Sequence, residues 1–346
     1  MSTPIPSKSR KDSILTFLKE QGTRNPVNSL SEYVREVQSI SDRWQQEDWR
    51  REEADEEMLF NDVRIVGQVW FRGQRHLDLT LRPGLYRKET YEGLFKQVGS
   101  PKPSDEETNR VEELFDLEHE MRVDFTSFGH LLNQANHANT ATDWYFLMQH
   151  HGLPTRLLDW TTNALAALFF ALDGRRQHRD ETNAPQESKI SVAVWTVDAY
   201  WLADKLSNEW TAPLLAWSSD ATRYIPPMEA LIDKMGDSKA LLPHHAMPIE
   251  PPAIHPRVAA QEGRFIIYGQ TEDLVQEEIR LEPLPDCLGL QEMRLTQVRF
   301  EAEDVDAVLR ELAQLGISRR TLFPDLAGLA DFVKWKHCHR LRGYSL

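Results

Sequence analysis

Cysteine is scarce in this 346-residue chain, which has two, Cys287 and Cys338. Two thiols cannot build a disulfide framework, and a reduced, cytoplasmic setting fits them best. Long apolar runs are missing too: nothing approaches the ~18 consecutive apolar residues of a membrane span. The opening MSTPIPSKSRKDS has no apolar core of the kind a secretory leader carries, so none is expected there. The common chemical motifs are also lacking. There is no GxGxxG behind a strand, no P-loop lysine, no HExxH, no CxxC pair, no EF-hand loop and no GxSxG elbow. Positive charge is in deficit, with 40 Lys+Arg against 54 Asp+Glu and a net charge of −14. A field of that sign repels phosphate polymers at long range and excludes a histone-like role. A local basic site for a nucleotide remains compatible with it.

What is present is an ordinary globular composition. Apolar residues make up 40%, enough to bury a core and to exclude wholesale disorder. Residues 1–12 read as a loose polar terminus. Residues 29–50 read as a long helix. Ser29 and Glu32 have capping-box spacing, and Leu30, Tyr33, Val34, Val37, Ile40 and Trp44 form one stripe. Residues 47–57 are a charge cluster, read as a solvated helix end or linker. Strands are expected at 63–73, 190–197, 264–268 and 293–300, the last alternating as a half-buried strand does. Helices are expected at 108–122, 140–151, 162–172, 305–317 and 326–336. Ala164 to Leu172 are all apolar, which means burial on every side of that helix. Residues 175–189 read as an exposed loop, and 203–256 as mixed and Pro-rich. Strands without a regular strand–helix alternation point to α+β with a mixed or antiparallel sheet.

Two segments concentrate chemistry. In Trp70-Phe71-Arg72-Gly73-Gln74 a guanidinium closes an apolar strand. Burial there demands an anionic or hydrogen-bonding partner, and Gly73 would let a ligand approach the backbone. A structural carboxylate beside Arg72 is the plainer reading. The second segment runs from Gln149 to Asn163 (QHHGLPTRLLDWTTN) between two helices. Asp159, Thr161 or Thr162 can cap the helix that follows, whose free amides suit a phosphate. Simple capping is the alternative there. The histidine pairs His150-His151 and His244-His245, and the His337-Cys338-His339 run, are adjacent residues that diverge around a helix, so no metal site is expected. Lys334, Lys336, Arg340 and Arg342 read as a solvated face rather than a nucleic-acid patch.

These segments together resemble the FRG domain family. The matching blocks run in order: WFRGQ (70–74), LRPGLYR (81–87), the acidic helix around Glu112–Phe125, QHHGLPTRLLDWTTNALAALFFAL (149–172), VAVWTV (192–197), PRVAAQEGRFIIY (256–268) and GISRRTLFPDLAGLA (316–330). The resemblance implies an FRG domain over 61–330, with 1–60 as an N-terminal helical extension and 331–346 as a C-terminal helix end and tail. The order of elements is similar to that of ADP-ribosyltransferases, which cleave NAD. It therefore implies that fold and an NAD-dependent bacterial toxin or antiphage defence effector. Such an effector would move ADP-ribose to a protein or nucleic-acid acceptor and answer to an antitoxin or regulatory protein.

In that comparison Arg72 grips NAD phosphate or ribose, Thr161-Thr162 line the nicotinamide pocket, and Gln261 or Glu262 faces the nicotinamide ribose. The departures are Asp-Trp-Thr-Thr and Gln-Glu-Gly, so Asp159 or His151 is a candidate for any missing group. The catalytic candidates are thus Arg72, Glu262, Gln261, Asp159 and His151. The candidates for NAD binding are Phe71, Arg72, Gly73, Trp160, Thr161 and Thr162, with Tyr268 as a further stacking ring. No metal is required for this chemistry. Two other readings stand beside it. One is a noncatalytic nucleotide-sensing or partner-binding module. The other is a nuclease-like phosphoryl enzyme built on Asp159, His151 and Glu262.

Overall fold

The computed structural model describes residues 26–52, 69–77, 79–87, 108–135, 138–182, 189–206, 212–227, 243, 245–252, 255–269 and 294–338. In chain order the elements are α1 (Leu30–Glu52), β1 (Val69–Gln74), α2 (Thr108–Gly129), α3 (Ala141–His150), β2 (Leu157–Thr161), α4 (Ala164–Thr182), β3 (Ile190–Asp198) and α5 (Ala199–Leu206). Then follow β4 (Leu214–Leu215), α6 (Ala221–Tyr224), β5 (Met247–Glu250), α7 (Pro256–Ala260), β6 (Gly263–Ile267), β7 (Leu295–Ala302), α8 (Val305–Gln314), α9 (Arg319–Leu322) and α10 (Leu326–Cys338). Short 3-10 turns occupy Gly84–Tyr86 and His130–Ala135.

The seven strands form one sheet in the order β4-β5-β6-β2-β1-β3-β7. Every neighbouring pair is antiparallel except β4–β5, which is parallel. The chain is therefore α+β with a mixed sheet. No helix among the described residues is long and apolar enough to cross a membrane.

Each face of the sheet buries its own core. On one face Phe71, Val192, Val194, Val298 and Phe300 pack against α1, α4 and α8. On the other, Trp70, Trp160, Trp195, Leu202 and Tyr268 form an aromatic-rich layer with Leu81, Leu85 and Leu114. Each large apolar side chain so buried contributes about 1.5–3 kcal/mol. The all-apolar stretch behaves as its composition demands: Ala166, Ala167, Leu168, Phe169, Ala171 and Leu172 are buried.

Several expectations are corrected. The long helix read near the N-terminus docks on the sheet. Tyr33, Ile40 and Trp44 of α1 belong to the α4-side core, and the Tyr33 hydroxyl donates to the Ala164 carbonyl at 2.8 Å. The stripe read from the sequence is the reason, because it must cover an apolar surface and the sheet supplies one. Helix α4 runs on to Thr182, through the first part of the stretch read as a loop. Helix propagation is cheap once the first turns are packed. Inside the Pro-rich region the structure has α5, β4, α6 and β5, whose two- and four-residue strands are too short for a periodic signal. Residues 63–68 of the first strand candidate, 53–57 of the charge cluster, residues 1–12, Cys287, His244, His339, Arg340 and Arg342 lie outside the described residues.

A buried ionic knot ties the sheet to α2 and α3. The Arg156 Nε donates to Glu118 Oε2 at 2.8 Å, and its Nη1 and Nη2 donate to the carbonyls of Tyr268 (2.9 Å) and Tyr224 (2.6 Å). The Tyr145 hydroxyl also donates to Glu118, and the Arg156 amide donates to the Tyr145 oxygen at 3.0 Å. Arg156 is 1% exposed, so its charge has to be met by protein. The knot anchors the start of β2 against the end of β6, two of the strands that build the site below.

Candidate functional site

The central strands part where the chemistry gathers. β1 and β2 share a single registered pair, Phe71 with Thr161, whereas β1 and β3 share six. Beyond that pair the Arg72 side chain bridges β1 to β2. Its Nη1 donates to the Asp159 backbone carbonyl at 2.6 Å and lies 3.8 Å from Asp159 Oδ2. Burial pulls the Arg72 pKa below its ordinary value; Asp159 opposes this and Arg87 reinforces it. The Nε of Arg72 is buried and has no hydrogen-bond partner. Arg72 thus meets a carboxylate and keeps one donor unused.

Asp159 is exposed although it sits in a central strand, with 58% of its side chain accessible. The Gln149 amide at the end of α3 donates to both carboxylate oxygens at 3.0 Å, and the Thr155 hydroxyl donates to Gln149 at 2.6 Å. Gln149 stands in the motif read from the sequence but was not singled out there. Its role depends on α3 and β2 lying side by side.

The second and third sequence elements meet directly. β2 pairs with β6 from Leu157–Ile267 through Thr161–Gly263, so Gln261 and Glu262 lie beside Thr161 and Thr162. The Thr161 hydroxyl donates to the Gln261 carbonyl at 2.7 Å. The Thr162 amide donates to the Glu262 carbonyl at 3.2 Å. The Glu262 carboxylate accepts from the Thr162 hydroxyl at 2.9 Å and from Asn163 Nδ2 at 3.0 Å. Glu262 has a φ of +48°, in the left-handed region that non-glycine residues rarely occupy. The two residues differ in direction. Gln261 turns its amide to the Leu322 carbonyl of α9 at 3.0 Å, whereas Glu262 is exposed at the head of α4.

The cap of α4 is Asn163, not Asp159, Thr161 or Thr162. Its Oδ1 accepts from the Ala166 amide at 3.0 Å, and its own amide donates to the Thr161 hydroxyl at 2.9 Å. Asn immediately before an apolar helix is itself a cap signal.

Four residues expected to touch NAD serve packing. A Cβ on Gly73 would lie 1.9 Å from the Ala167 carbonyl oxygen and 2.8 Å from the Ala171 amide, so the close approach it permits is that of α4. Phe71 fills the α4-side core. Trp160 and Tyr268 are each 3% exposed, on the opposite face. Their rings are core surfaces rather than open stacking platforms, although the Trp160 Nε1 has no partner.

His151 lies elsewhere. It caps α3 beside His150 and His255, whose rings stack with centroids 3.7 Å apart, and Phe125 packs on it at 6.1 Å. Burial is the first cause that lowers all three histidine pKa values, with Arg257 adding to it; His150 is pushed down to about 4. Among the described residues no group of three or more His, Cys, Asp or Glu is arranged to hold a metal ion. A small, half-open pocket lined by Phe169, Asp173, Leu309, Arg319, Phe332 and Trp335 involves none of the candidate residues.

Residues 79–87 pack on the aromatic face through Leu81, Leu85 and Tyr86. The Gln74 amide donates to the Thr80 carbonyl at 3.2 Å and accepts from Trp195 Nε1 at 2.8 Å. The Tyr268 hydroxyl donates to the Leu81 carbonyl at 2.5 Å. Arg82 and Arg87 lie in this segment, the LRPGLYR block, where the Arg87 Nε donates to the Arg82 carbonyl at 3.2 Å.

Comparison with known proteins reaches the level of a family model. No curated protein and no solved structure matches the chain. The FRG domain family model matches residues 67–180, from just ahead of β1 into α4. That interval holds Arg72, Asp159 and Thr161-Thr162, and over it the chain is similar to the FRG domain.

Proposed function

We propose that this chain is an NAD-dependent ADP-ribosyltransferase with the corresponding fold, acting on a macromolecule as a toxin or antiphage effector. The observation that supports the reading is that its three elements come from neighbouring strands of one sheet. Arg72 comes from β1, Thr161 and Thr162 from the end of β2, and Glu262 from the turn before β6. In the reaction, the bond between the ribose C1′ and the nicotinamide nitrogen breaks, and nicotinamide leaves with the electron pair. The acceptor's nucleophile then attacks C1′ and loses its proton. The intervening centre is cationic, and a fixed carboxylate beside it lowers the barrier. Glu262 suits this role better than Gln261: its carboxylate is exposed and oriented by two donors, whereas Gln261 is turned to α9. Arg72 suits the anionic part of NAD, because a buried guanidinium with a spare N–H favours a charged acceptor.

The test is to incubate purified protein and lysate with NAD labelled in the adenylate moiety. Label transfer or nicotinamide release by the wild type, lost in Arg72→Ala, supports the reading. If wild type and Arg72→Ala both leave NAD intact while a nucleotide still binds, the noncatalytic module replaces it.

A further inference from the structure

We propose that the stacked rings of His150 and His255 form a proton-sensitive latch that holds α7, and with it the turn bearing Glu262, against the end of α3. The latch goes beyond the transferase reading; its effect on catalysis rests on that reading through Glu262.

The contact joins the ends of two elements. His150 is the last residue of α3, and His255 is the residue before α7. Their ring centroids are 3.7 Å apart, with the planes tilted by 38°. The His151 ring lies 5.0 Å from that of His150 and 6.4 Å from that of His255. Helix α7 has five residues, too few to be stable without outside support. It leads straight into the turn. The Gln261 amide donates to the Arg257 carbonyl at 2.9 Å, and the Glu262 amide donates to the Ala259 carbonyl at 3.1 Å. The left-handed backbone of Glu262 is therefore held from the α7 side as well as by Thr162.

The chemistry of the cap makes the contact sensitive to protons. Pro256 opens α7 without an amide, so the Arg257 amide is its first free donor. That amide donates to His255 Nδ1 at 3.2 Å. An imidazole nitrogen accepts while it is unprotonated, so this ring is neutral and carries its proton on Nε2. A second proton from solvent goes to Nδ1 and turns the acceptor into a donor facing the Arg257 amide. The cap is lost, and the ring becomes a cation against His150.

The surroundings do not accommodate that cation. Among the described residues, the other charged or titratable groups that face the pair are His151 of α3, Arg257 of α7 and Asp325 ahead of α10. Arg257 adds a fixed positive charge. The Asp325 carboxylate is already engaged by the Arg257 guanidinium and the Gly328 amide. Burial, and after it the neighbouring imidazoles and Arg257, hold the pKa values of both rings below the ordinary value, with Asp325 opposing. The packed arrangement thus excludes the proton, and an opened one accepts it.

The experiment is hydrogen exchange of the full chain, read by mass spectrometry at pH 7.5 and 5.5, with rates corrected for the intrinsic effect of pH. Each imidazole that gains a proton only in the open state raises the population of that state by up to about tenfold per pH unit below ~6.5. The peptide covering residues 255–263 is therefore expected to lose about tenfold of its protection on acidification, whereas β3 and β7 keep theirs. His255→Asn supplies a capping acceptor that does not titrate, and the loss is expected to fall to about threefold or less. If His255→Asn fails to fold, His150→Gln, which removes the partner ring, carries the same comparison. Unchanged protection in wild type, an equal loss in the variant, or an equal loss throughout β3 and β7 overturns the latch. A pH-dependent loss confined to 255–263 with no NAD cleavage by wild type leaves the latch and removes the transferase reading. NAD cleavage with unchanged protection at 255–263 does the reverse.

Discussion

Glu262 and Thr162 are bonded twice. The Thr162 amide donates to the Glu262 carbonyl at 3.2 Å, and the Thr162 hydroxyl donates to the Glu262 carboxylate at 2.9 Å. The pair holds a glutamate in a left-handed backbone conformation and aims an exposed acid over the head of α4. Strain of this kind costs on the order of 1–3 kcal/mol and persists where the surroundings enforce it.

Glu262→Gln keeps the backbone and the side-chain shape but removes the charge. Nicotinamide release is expected to fall by about a hundredfold or more, the scale of losing one electrostatic stabiliser of a charged transition state. The melting temperature is expected to stay within a few degrees. Unchanged release in a folded variant would remove Glu262 from the chemistry.

Gly73→Ala is expected to destabilise the fold by roughly 1–3 kcal/mol. The new methyl would meet the Ala167 carbonyl and the Ala171 amide, both backbone, so α4 must move away from β1. Urea unfolding measures this as a lower midpoint with an unchanged slope. A variant as stable as wild type would show that the approach of α4 does not require glycine.

Arg156→Met is expected to cost about 3–5 kcal/mol, because it leaves the Glu118 carboxylate buried without its cation. Glu118→Leu combined with it should recover part of the loss. Equilibrium unfolding of the two single variants and the double variant measures the coupling. Additive losses would show that the two charges do not depend on each other.

Stability should fall as the medium is acidified, in a window set by the histidine cluster. Burial pushes the His150 pKa down to about 4, His255, His151 and Arg257 push the same way, and Asp325 opposes them. The unfolded residue takes up its proton near pH ~6.5. The neutral ring therefore contributes stability that is fully present above that pH and is lost between about 6.5 and 4. His151 and His255 are shifted in the same direction and steepen the slope. For His150 the loss is on the order of 1 kcal/mol, allowing for its partial exposure. Urea midpoints from pH 7.5 to 4.5 should decline less steeply in His150→Gln than in wild type. Parallel curves would show that this imidazole titrates freely in the folded protein.

Residue order and periodicity were enough to place the long elements, because their information is local. The stripe from Leu30 to Trp44, the unbroken apolar run from Ala164 to Leu172 and the alternation of β7 each report a face that must be buried. Glycines with positive φ at Gly152 and Gly316 end their helices where the sequence puts the stops. What had to wait for the folded chain is everything that depends on which strands become neighbours. Gln261 and Glu262 are adjacent in sequence and alike in shape, yet one turns to Leu322 and the other is held, exposed, over Thr162. Gly73 serves a helix rather than a ligand, because the backbone of α4 lies against it. The reason is that a side chain's direction follows from its own backbone, whereas its partner is chosen by sheet order, and sheet order is settled by long-range burial that leaves no periodic trace.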